Sequence, residues 1–316
     1  MEELPLNFKR EFLAKGYLLC DKIGEGGFSH IYKAQRINTV FFVAIKILKF
    51  PHYYSEAQKL ELMAYFKQSI KPYDFLKHSA IVTCFESGEL TQGTPYAVFE
   101  YIPGDTLKQF RLGKKSLRTI ETACIMRKVL EALAYAHSLG MVHGDLKPHN
   151  IMIFGSEKDL LVKLIDFGFY ESMNTLGNSF QAFLSPQYNA PEQLKGNLPT
   201  PQSDLYSWAL IFLECLTGVP VIPGNSIAEM IRNHLSKQEH PIPKEIRKHP
   251  LGNLLSITLH KDPSRRGLDA QNLLEELNRI DFNDLQLAEY PCNNLRGNAA
   301  LENTLPYLYL QMCDIG

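Results

Sequence analysis

The segment HGDLKPHN, residues 143–150, contains three side chains that together could serve a phosphoryl-transfer reaction. Asp145 could orient a hydroxyl nucleophile and accept its proton, and Lys147 could reach the transferred phosphate. Asn150 offers an amide oxygen, a ligand type that Mg²⁺ accepts, and a second acid, Asp166, follows an apolar stretch that predicts a strand. Because phosphoryl transfer needs little covalent help, these charges would act by positioning reactants and stabilising the transition state.

Two upstream segments carry residues suited to phosphate groups. The glycines of GEGGFSHI, residues 24–31, would let backbone N–H groups approach phosphate oxygens without obstruction by a Cβ atom. The same letters fit an ordinary hairpin turn, and they are not a Walker loop, because no GK[ST] follows. Lys46 lies in the apolar run FFVAIKIL, where its ammonium group must reach water or an anion. Glu61, in the next predicted helix, is the first candidate for a carboxylate partner of Lys46, and Glu56 is the second.

The elements that must position these residues change in character near YIPGD, residues 101–105. Before that segment, β-branched and aromatic runs predict strands at 17–23, 30–35, 41–48, 80–88 and 96–102, and one helix is predicted at 55–70. After it, apolar spacing predicts long helices at 119–140 and 203–218 and shorter ones near 226–235, 250–260 and 268–280. The sequence therefore predicts a small strand-rich lobe followed by a larger helical lobe.

Composition and charge favour a soluble protein with a sizeable core. The 316 residues are 45% apolar, and 33 basic against 34 acidic residues leave a net charge of -1. This balance gives no general reason to expect nucleic acid or an anionic membrane as a partner. The six cysteines are scattered without a CxxC pair, which favours free, buried thiols in a reducing compartment over a disulfide framework or a zinc site. The charged start and short apolar runs predict neither a signal peptide nor a membrane span, so we expect a cytoplasmic location, the cytosol of a host cell included.

Five motifs stand in the order found in eukaryotic-type serine/threonine protein kinases: GEGGFSHI, VAIK, HGDLKPHN, DFG and APE. The chain resembles that family over about residues 17–280. The resemblance implies the α+β class and a bilobal kinase fold, with an antiparallel β-rich N-lobe at 17–101, an α-helical C-lobe at 102–282 and ATP held between them. It gives no role to the extensions at 1–16 and 283–316. The implied cofactors are ATP and Mg²⁺, with Mn²⁺ as an alternative, and the implied acceptors are Ser and Thr hydroxyls of protein substrates.

The resemblance also implies individual roles by position. Asp145 would be the catalytic base, Lys147 would contact the transferred phosphate, and Lys46 would contact the α- and β-phosphates. Asn150 and Asp166 would bind Mg²⁺. The residues expected to contact the nucleotide are Ile23, Gly24, Glu25, Gly26, Gly27, Phe28, Ser29, Ile31, Ala44, Lys46, Glu61, Phe99, Glu100, Ile102 and Met152.

Five of these positions would hold the adenine ring. Phe99 would be the gatekeeper at the back of the adenine pocket. The backbone of Glu100 and Ile102 would bond the adenine edge, and Ala44 and Met152 would sandwich the ring. Two further matches would support the site without doing chemistry: Asp204 would hold the catalytic loop by its backbone amides, and Arg266 would pair with Glu192 of the APE motif.

The residues around the catalytic aspartate indicate which kind of side chain accepts the phosphate. Lys147 stands where serine/threonine kinases place a lysine, and Ser185 matches the hydroxyl that bridges Asp145 and Lys147 in that family. Kinases that select arginine before the phosphosite tend to place glutamates where this chain has Thr106 and His149. Strong selection for arginine is therefore not expected.

Gly144 is the main departure from the family pattern, since most protein kinases carry arginine there. That arginine is commonly neutralised by a phosphate on the activation loop, and Gly144 has no charge to neutralise. Residues 169–194 also contain no Lys or Arg that could pair with a phosphate. The sequence therefore predicts activity without phosphorylation of Ser172, Thr175 or Ser179.

Three alternatives remain open at the level of sequence. HGDLxxxN is also the signature of small-molecule phosphotransferases that resemble aminoglycoside and choline kinases, although FLSPQYNAPEQL and SDLYSWA favour a protein kinase. If neither Glu56 nor Glu61 holds Lys46, a partner would be needed to move that helix. A pseudokinase acting as a binding module is the third alternative. The protein substrate and the oligomeric state are not indicated by the sequence.

Overall fold

The structure, a computed structural model, describes residues 6–91, 93–112, 114, 116–156, 159–167, 185–285 and 287. The chain forms two compact units. The first contains the described residues up to Lys77 together with Val82–Pro103, and the second contains His78–Ile81 and the described residues from Gly104 onward. The division lies close to the predicted lobe boundary, but the segment His78–Ile81 of the first predicted lobe belongs to the second unit.

A five-stranded antiparallel sheet forms the first unit, with the strand order β1-β2-β3-β5-β4. The strands are β1 (Tyr17–Gly26), β2 (Ser29–Arg36), β3 (Phe42–Leu48), β4 (Cys84–Glu89) and β5 (Pro95–Glu100). Helix α1 (Leu6–Ala14) precedes the sheet, and α2 (Glu56–Ile70) lies between β3 and β4 and continues into a 3₁₀ turn at Lys71–Asp74. The five predicted strands and the predicted helix of this part are confirmed, with shifts of a few residues at their ends.

Alternation along β3 separates the two faces of this sheet. Val43, Ile45 and Ile47 are buried and belong to the hydrophobic core of the unit. Ala44 and Lys46, which point the other way because successive strand side chains alternate, lie on the opposite face and are half-buried. The strand therefore carries Lys46 on the face of the sheet opposite Val43, Ile45 and Ile47.

Helix α1 was not predicted, although it belongs to the core of the first unit. Phe12 is fully buried, and its ring meets the edge of Tyr96 with centroids 5.1 Å apart. The backbone N–H of Thr91 donates to the Glu11 carboxylate at 2.7 Å, so the helix is also bonded to the turn between β4 and β5. The i,i+4 spacing of Phe8 and Phe12 was the available signal. The segment 1–16, interpreted as an extension, thus contributes a side chain to the core.

The second unit is mainly helical and confirms the predicted α+β class. Its helices are α3 (Leu107–Arg111), α4 (Thr119–Ser138), α5 (Pro191–Leu194), α6 (Pro201–Thr217), α7 (Ile227–Leu235), α8 (Lys244–Lys248), α9 (Pro250–Thr258) and α10 (Ala270–Asn278). Strands β6 (Asp105–Thr106), β7 (Ile151–Ser156) and β8 (Asp159–Leu164) form a small antiparallel sheet in that order. The long predicted helices are confirmed, whereas α3, α8 and β6 are too short to show a period in the sequence.

Helices α4 and α6 form the centre of the second unit. Every α6 residue from Ser203 to Thr217 is buried, as the apolar sequence predicted, and α6 ends at Gly218 with φ +76°. The indole N–H of Trp208 on α6 donates to the carbonyl oxygen of Met126 on α4 at 2.8 Å. A buried indole needs such a partner, so this bond fixes the two helices against each other.

Among the described helices, none is both long enough and apolar enough to cross a membrane. The four cysteines within the described residues, Cys20, Cys84, Cys124 and Cys215, are free thiols. Cys215 is buried as predicted, whereas Cys84 and Cys124 are partly buried and Cys20 is exposed, so the predicted burial is wrong for Cys20.

A buried polar cluster joins α6 to α7 and the loop that follows. The Tyr206 hydroxyl lies 3.0 Å from His234 Nδ1 and 2.5 Å from His240 Nε2. Burial lowers the pKa of His234 to about 4, and burial together with the nearby Lys261 lowers the pKa of His240 to about 3. Both imidazoles are therefore neutral at pH 7, where the hydroxyl can donate to one ring and accept from the other.

Lowering the pH from 7 to 5 should reduce the free energy of unfolding by about 2–4 kcal/mol through this pair. The folded-state pKa values lie below the ordinary value, so the contribution is complete above about pH 6.5 and is lost as the unfolded chain takes up protons that the folded chain excludes. Urea denaturation at both pH values measures the change. His240→Gln cannot titrate in this range and should show a smaller decrease; an equal decrease would contradict the assignment.

Candidate active site

The loop from Val142 to Asn150, between α4 and β7, is held by the buried carboxylate of Asp204 on α6. The carboxylate accepts from the backbone N–H of His143 at 2.7 Å and from that of Gly144 at 2.8 Å. His137 Nε2 on α4 lies 2.9 Å from the same carboxylate. Asp204 is 1% exposed, and a buried charge needs several hydrogen bonds, so these contacts tie the loop to the centre of the unit. Asp204 thus lies where the resemblance placed it.

Asp145, Lys147 and Ser185 form a closed triangle. The Ser185 hydroxyl donates to Asp145 Oδ1 at 2.9 Å and accepts from Lys147 Nζ at 2.9 Å. Lys147 Nζ also lies 2.7 Å from Asp145 Oδ2. The expected serine bridge is therefore present. A carboxylate, a hydroxyl and an ammonium group in direct contact provide both a proton acceptor and a positive charge for a developing phosphate charge.

Asn150 lies on a 3₁₀ turn, Pro148–Asn150, that precedes β7. Its Nδ2 donates to the Asp145 carbonyl oxygen at 2.8 Å and to Asp145 Oδ2 at 3.3 Å. Within the described ranges, no hydrogen bond uses Asn150 Oδ1. The amide is thus fixed with its oxygen available, as a ligand of a hard cation requires.

Asp166 follows β8 and adopts a left-handed backbone with φ +59°, a conformation that non-glycine residues rarely adopt. Such strain is typical of functional positions. No group of three or more His, Cys, Asp or Glu residues suited to a metal occurs in the described part of the chain. A metal held by Asn150 and Asp166 would therefore need further ligands from phosphate or water, which is the usual situation for Mg²⁺.

His143 links the loop to the segment that carries Asp166. It is fully buried, its Nε2 lies 3.0 Å from the Ile165 carbonyl oxygen, and its Nδ1 accepts from the backbone N–H of Asp145 at 3.3 Å. Its ring also contacts Phe167, with centroids 4.6 Å apart. Burial lowers its pKa, so the ring is neutral with the proton on Nε2. His143 is therefore a packed side chain that connects the loop to the segment after β8.

Glu192 and Arg266 form the predicted buried ion pair. Arg266 Nη1 and Nη2 bind the two carboxylate oxygens of Glu192 at 2.6 and 2.9 Å, and the Ser203 hydroxyl donates to the same carboxylate at 2.8 Å. Arg266 is 1% exposed, and its Nε and Nη1 also donate to the carbonyl oxygens of His260 and Gln202. This network fixes α5 to α6 and to the segment before α10.

The glycine-rich segment of the first unit forms the hairpin between β1 and β2. Gly24 pairs with Ile31 and Gly26 pairs with Ser29, so residues 27–28 make the turn. Neither Gly24 nor Gly26 has a positive φ. A Cβ atom at Gly24 would lie 3.4 Å from the Ile31 Cδ1 atom, an ordinary contact. The fold of the unit does not itself require glycine at 24, which supports close approach of a ligand as the reason for it.

Glu25 makes its contacts within the protein. Its carboxylate lies 2.5 Å from Lys22 Nζ, 2.8 Å from Lys49 Nζ and 3.2 Å from His30 Nε2. The hydrogen bonds from Lys22 and Lys49 lower its pKa to about 2. The backbone N–H of Lys49 also donates to the carbonyl oxygen of Phe28 at 2.9 Å. These contacts fasten the hairpin to the end of β3. The Glu25 carboxylate is therefore bound by side chains of the same unit.

Four predicted nucleotide contacts share one face of the sheet. Ile31 is paired with Lys46, and Ala44 with Phe99, so their side chains lie on the face of the sheet opposite Val43, Ile45 and Ile47. The buried Phe99 packs edge-on against Tyr73, with ring centroids 5.2 Å apart. This face of the sheet thus brings together a lysine and apolar side chains.

The remaining predicted nucleotide contacts lie at the ends of strands or beyond them. The N–H of Glu100 donates to the Thr83 carbonyl oxygen at 2.9 Å, and its carboxylate accepts from the Thr83 N–H at 2.7 Å, so a ligand there would meet the Glu100 carbonyl. Ile102 is buried and Ile23 is 46% exposed. Met152, in the second unit, lies on β7 opposite Thr106.

The predicted pairing of Lys46 with Glu61 stays a prediction. Glu61 is exposed on α2, beside the buried Leu62. Glu56, the second candidate, is bonded to Lys59 at 2.7 Å. The helix turns its apolar residues inward at 62, 65, 66 and 70, which leaves both glutamates on other sides.

Thr106 and His149 lie near the catalytic loop. Thr106 accepts a hydrogen bond from the backbone N–H of Gln109 at 3.2 Å and so caps α3. Burial, and to a smaller extent the positive charges of Lys108 and Lys147, lower the pKa of His149 to about 4. The two positions thus carry a hydroxyl group and a neutral imidazole, and the carboxylate of Asp105 lies next to Thr106 on β6.

The sequence did not identify two residues that help to hold the loop, one through Asp204 and one directly. His137 bonds to Asp204, and Gln193 bonds to the carbonyl oxygen of Gly144. No motif marks His137, whereas Gln193 follows directly after the APE motif. Ser172, Thr175 and Ser179 lie outside the described residues.

The protein kinase domain family matches residues 17–277 of the chain. A probable serine/threonine-protein kinase of Clostridium perfringens is 32% identical over 85% of this chain and 39% of its own length. The serine/threonine-protein kinase PrkC of Bacillus subtilis is 31% identical over 81% of this chain and 39% of its own length. The serine/threonine-protein kinase PknB of Mycobacterium tuberculosis is 30% identical over 85% of this chain and 43% of its own length. The chain therefore spans about two fifths of the length of these curated relatives.

Gly144→Ala should lower the free energy of unfolding by about 1–2 kcal/mol, because an L-residue is strained in the left-handed region. The φ angle of Gly144 is +78°. Gly267→Ala is the matched control, since Gly267 has no positive φ and a Cβ there would meet no atom within 4 Å. Urea denaturation of both variants measures the free energy of unfolding. Equal decreases in the two variants would contradict the expected backbone strain at position 144.

Proposed function

We propose that this chain, which belongs to the protein kinase domain family, is an ATP- and Mg²⁺-dependent serine/threonine protein kinase. The observation that supports this most directly is the contact of the Ser185 hydroxyl with both Asp145 and Lys147. The relatives that carry serine/threonine-protein kinase in their names support the same acceptor class. Because the chain spans only part of those relatives, activity, substrates and partners are all proposed here.

In the proposed reaction, Asp145 orients the Ser or Thr hydroxyl of a protein substrate and accepts its proton. Lys147 stabilises negative charge on the transferred phosphoryl group. Asn150 Oδ1 and the Asp166 carboxylate would hold Mg²⁺, which when bound neutralises charge on phosphate oxygens. The fixed amide of Asn150 and the strained backbone of Asp166 are the features of this chain that fit such an ion.

In the first unit, ATP is proposed to bind the face of the sheet that carries Lys46 and Ala44, together with the hairpin between β1 and β2. Lys46 would contact phosphate oxygens, and the backbone of Gly24 and Gly26 would approach them closely. Ala44 and the carbonyl oxygen of Glu100 would meet the adenine, with Phe99 behind it. The absence of any local need for glycine at 24 supports this use of the hairpin.

Activity without activation-loop phosphorylation is proposed on the basis of Gly144. The catalytic loop carries no arginine before Asp145, and the Lys147 ammonium group is already paired with Asp145. The loop is held by the uncharged backbone at 143 and 144 through Asp204, which needs no phosphate.

Incubation with Mg·ATP and a mixed Ser/Thr peptide should give phosphopeptide by mass spectrometry. Asp145→Asn should lower the rate at least about a hundredfold, because it removes the proton acceptor while keeping the shape of the side chain. Removal of Mg²⁺ with a chelator should abolish transfer. Transfer to amino-alcohols and not to peptides would instead indicate a small-molecule phosphotransferase, and nucleotide binding without any transfer would indicate partner dependence or a pseudokinase.

The triple variant Ser172→Ala, Thr175→Ala, Ser179→Ala should keep at least about a third of the peptide kinase rate, because no arginine precedes Asp145 to be neutralised. The measurement is the initial rate at saturating ATP, with phosphatase-treated wild type as control. A loss of more than about tenfold in either sample would refute the proposed independence from activation-loop phosphate.

A further inference from the structure

Gln193 lies on α5 directly after Glu192, and both ends of its amide are bonded. Its Nε2 donates to the carbonyl oxygen of Gly144 at 2.8 Å, and its Oε1 accepts from the backbone N–H of Ala190 at 3.0 Å. The residue is 3% exposed. Because a carbonyl group only accepts and an N–H only donates, these partners determine the orientation of the amide.

The peptide group between Gly144 and Asp145 is held at both of its polar atoms. Gln193 binds its carbonyl oxygen, and His143 Nδ1 accepts from its N–H at 3.3 Å. The preceding peptide group is held by Asp204 through the Gly144 N–H. A peptide group is planar, so fixing these atoms fixes the direction in which the chain enters Asp145.

Glycine makes this restraint necessary. Gly144 has no side chain that could pack and the widest backbone freedom of any residue, so the dihedral angles before Asp145 are restrained only from outside. Gln193 supplies that restraint from a segment that is itself immobilised, because the neighbouring Glu192 is bound by Arg266 and Ser203. Arg266 is therefore connected to the peptide group of Asp145 by hydrogen bonds to Glu192, the covalent link from Glu192 to Gln193, and the hydrogen bond from Gln193 to the Gly144 carbonyl oxygen.

We propose that Gln193 is a positioning residue for Asp145, so that the APE segment holds the catalytic loop in place of a charged side chain at position 144. The inference rests on the proposed kinase function. It gives that function a specific structural basis: the segment after the activation loop is coupled to the proton acceptor through a neutral amide.

The test compares three variants of the full chain in steady-state peptide phosphorylation. Gln193→Met keeps the length of the side chain and removes both hydrogen bonds. Ser207→Ala is the matched control, because the Ser207 hydroxyl donates to the carbonyl oxygen of Tyr188 at 2.8 Å, in the same segment but away from the loop. Gln193→Met should lower kcat about ten- to a hundredfold with little change in the KM for ATP or peptide, whereas Ser207→Ala should change kcat less than about threefold at a similar loss of Tm.

Gln193→Glu adds a readout that a purely structural role would not move. A protonated carboxyl group can donate to the Gly144 carbonyl, whereas an ionised one cannot and is repelled by it. Burial raises the pKa of such a carboxyl group, so kcat relative to wild type should rise as the pH is lowered from 8 to 6. A constant ratio across that range would count against the role of the donated hydrogen bond.

Hydrogen exchange of the amides at 143–146 separates this inference from the proposed function. Exchange should be at least about tenfold faster in Gln193→Met and unchanged in Ser207→Ala. If wild type phosphorylates no peptide but the exchange behaves in this way, the proposed function fails while the restraint stands. If wild type is active and neither exchange nor kcat changes in Gln193→Met, or if Ser207→Ala loses as much kcat at the same Tm, the inference fails and the kinase function stands.

Discussion

The buried carboxylate of Asp204 is the interaction on which the catalytic loop depends. A carboxylate removed from water is strongly destabilising unless hydrogen bonds replace its hydration. Here two of the replacements are backbone N–H groups of the loop itself, at His143 and Gly144. The loop cannot leave its position without stranding a charge inside the second unit. Its conformation is therefore as stable as the packing of α6, whose residues from Ser203 to Thr217 are all buried.

Around that anchor, the chain uses neutral groups where a charged switch is common among relatives of this fold. The peptide groups on both sides of Gly144 are bonded to Asp204, Gln193 and His143. The charges that remain, on Asp145 and Lys147, neutralise each other through direct contact and through Ser185. The rigidity of this network comes from directional hydrogen bonds in a buried setting, where each is costly to leave unmade.

The parts of this site that could be predicted from the sequence are those encoded locally. Alternation along β3 sets the side on which Lys46 emerges, and the spacing within HGDLKPHN brings Asn150 back to Asp145. The bridge by Ser185 followed from the resemblance to a family. The contacts of His137 and Gln193 join residues 67 and 49 positions apart, and no periodicity records such distances. The buried face of α2 could not be predicted for a related reason. Its pattern is irregular, with exposed Leu60 next to exposed Glu61 and buried Leu62, so only tertiary packing decides which side turns inward.

The position of α1 separates two meanings of a domain boundary. The unit recognisable by descent begins at Tyr17, where the family match starts. The unit that folds includes Phe12, which fills a space against Tyr96 that no later residue of the helix reaches. A chain trimmed to begin at Tyr17 would keep every motif and yet leave Tyr96 of the five-stranded sheet without the Phe12 ring, at a cost of about 3–5 kcal/mol, comparable to much of the stability of an ordinary domain. The family match and the folding unit thus begin at different residues. A fragment designed to begin at Tyr17 would keep the catalytic motifs but lose the stability that the packing of Phe12 contributes.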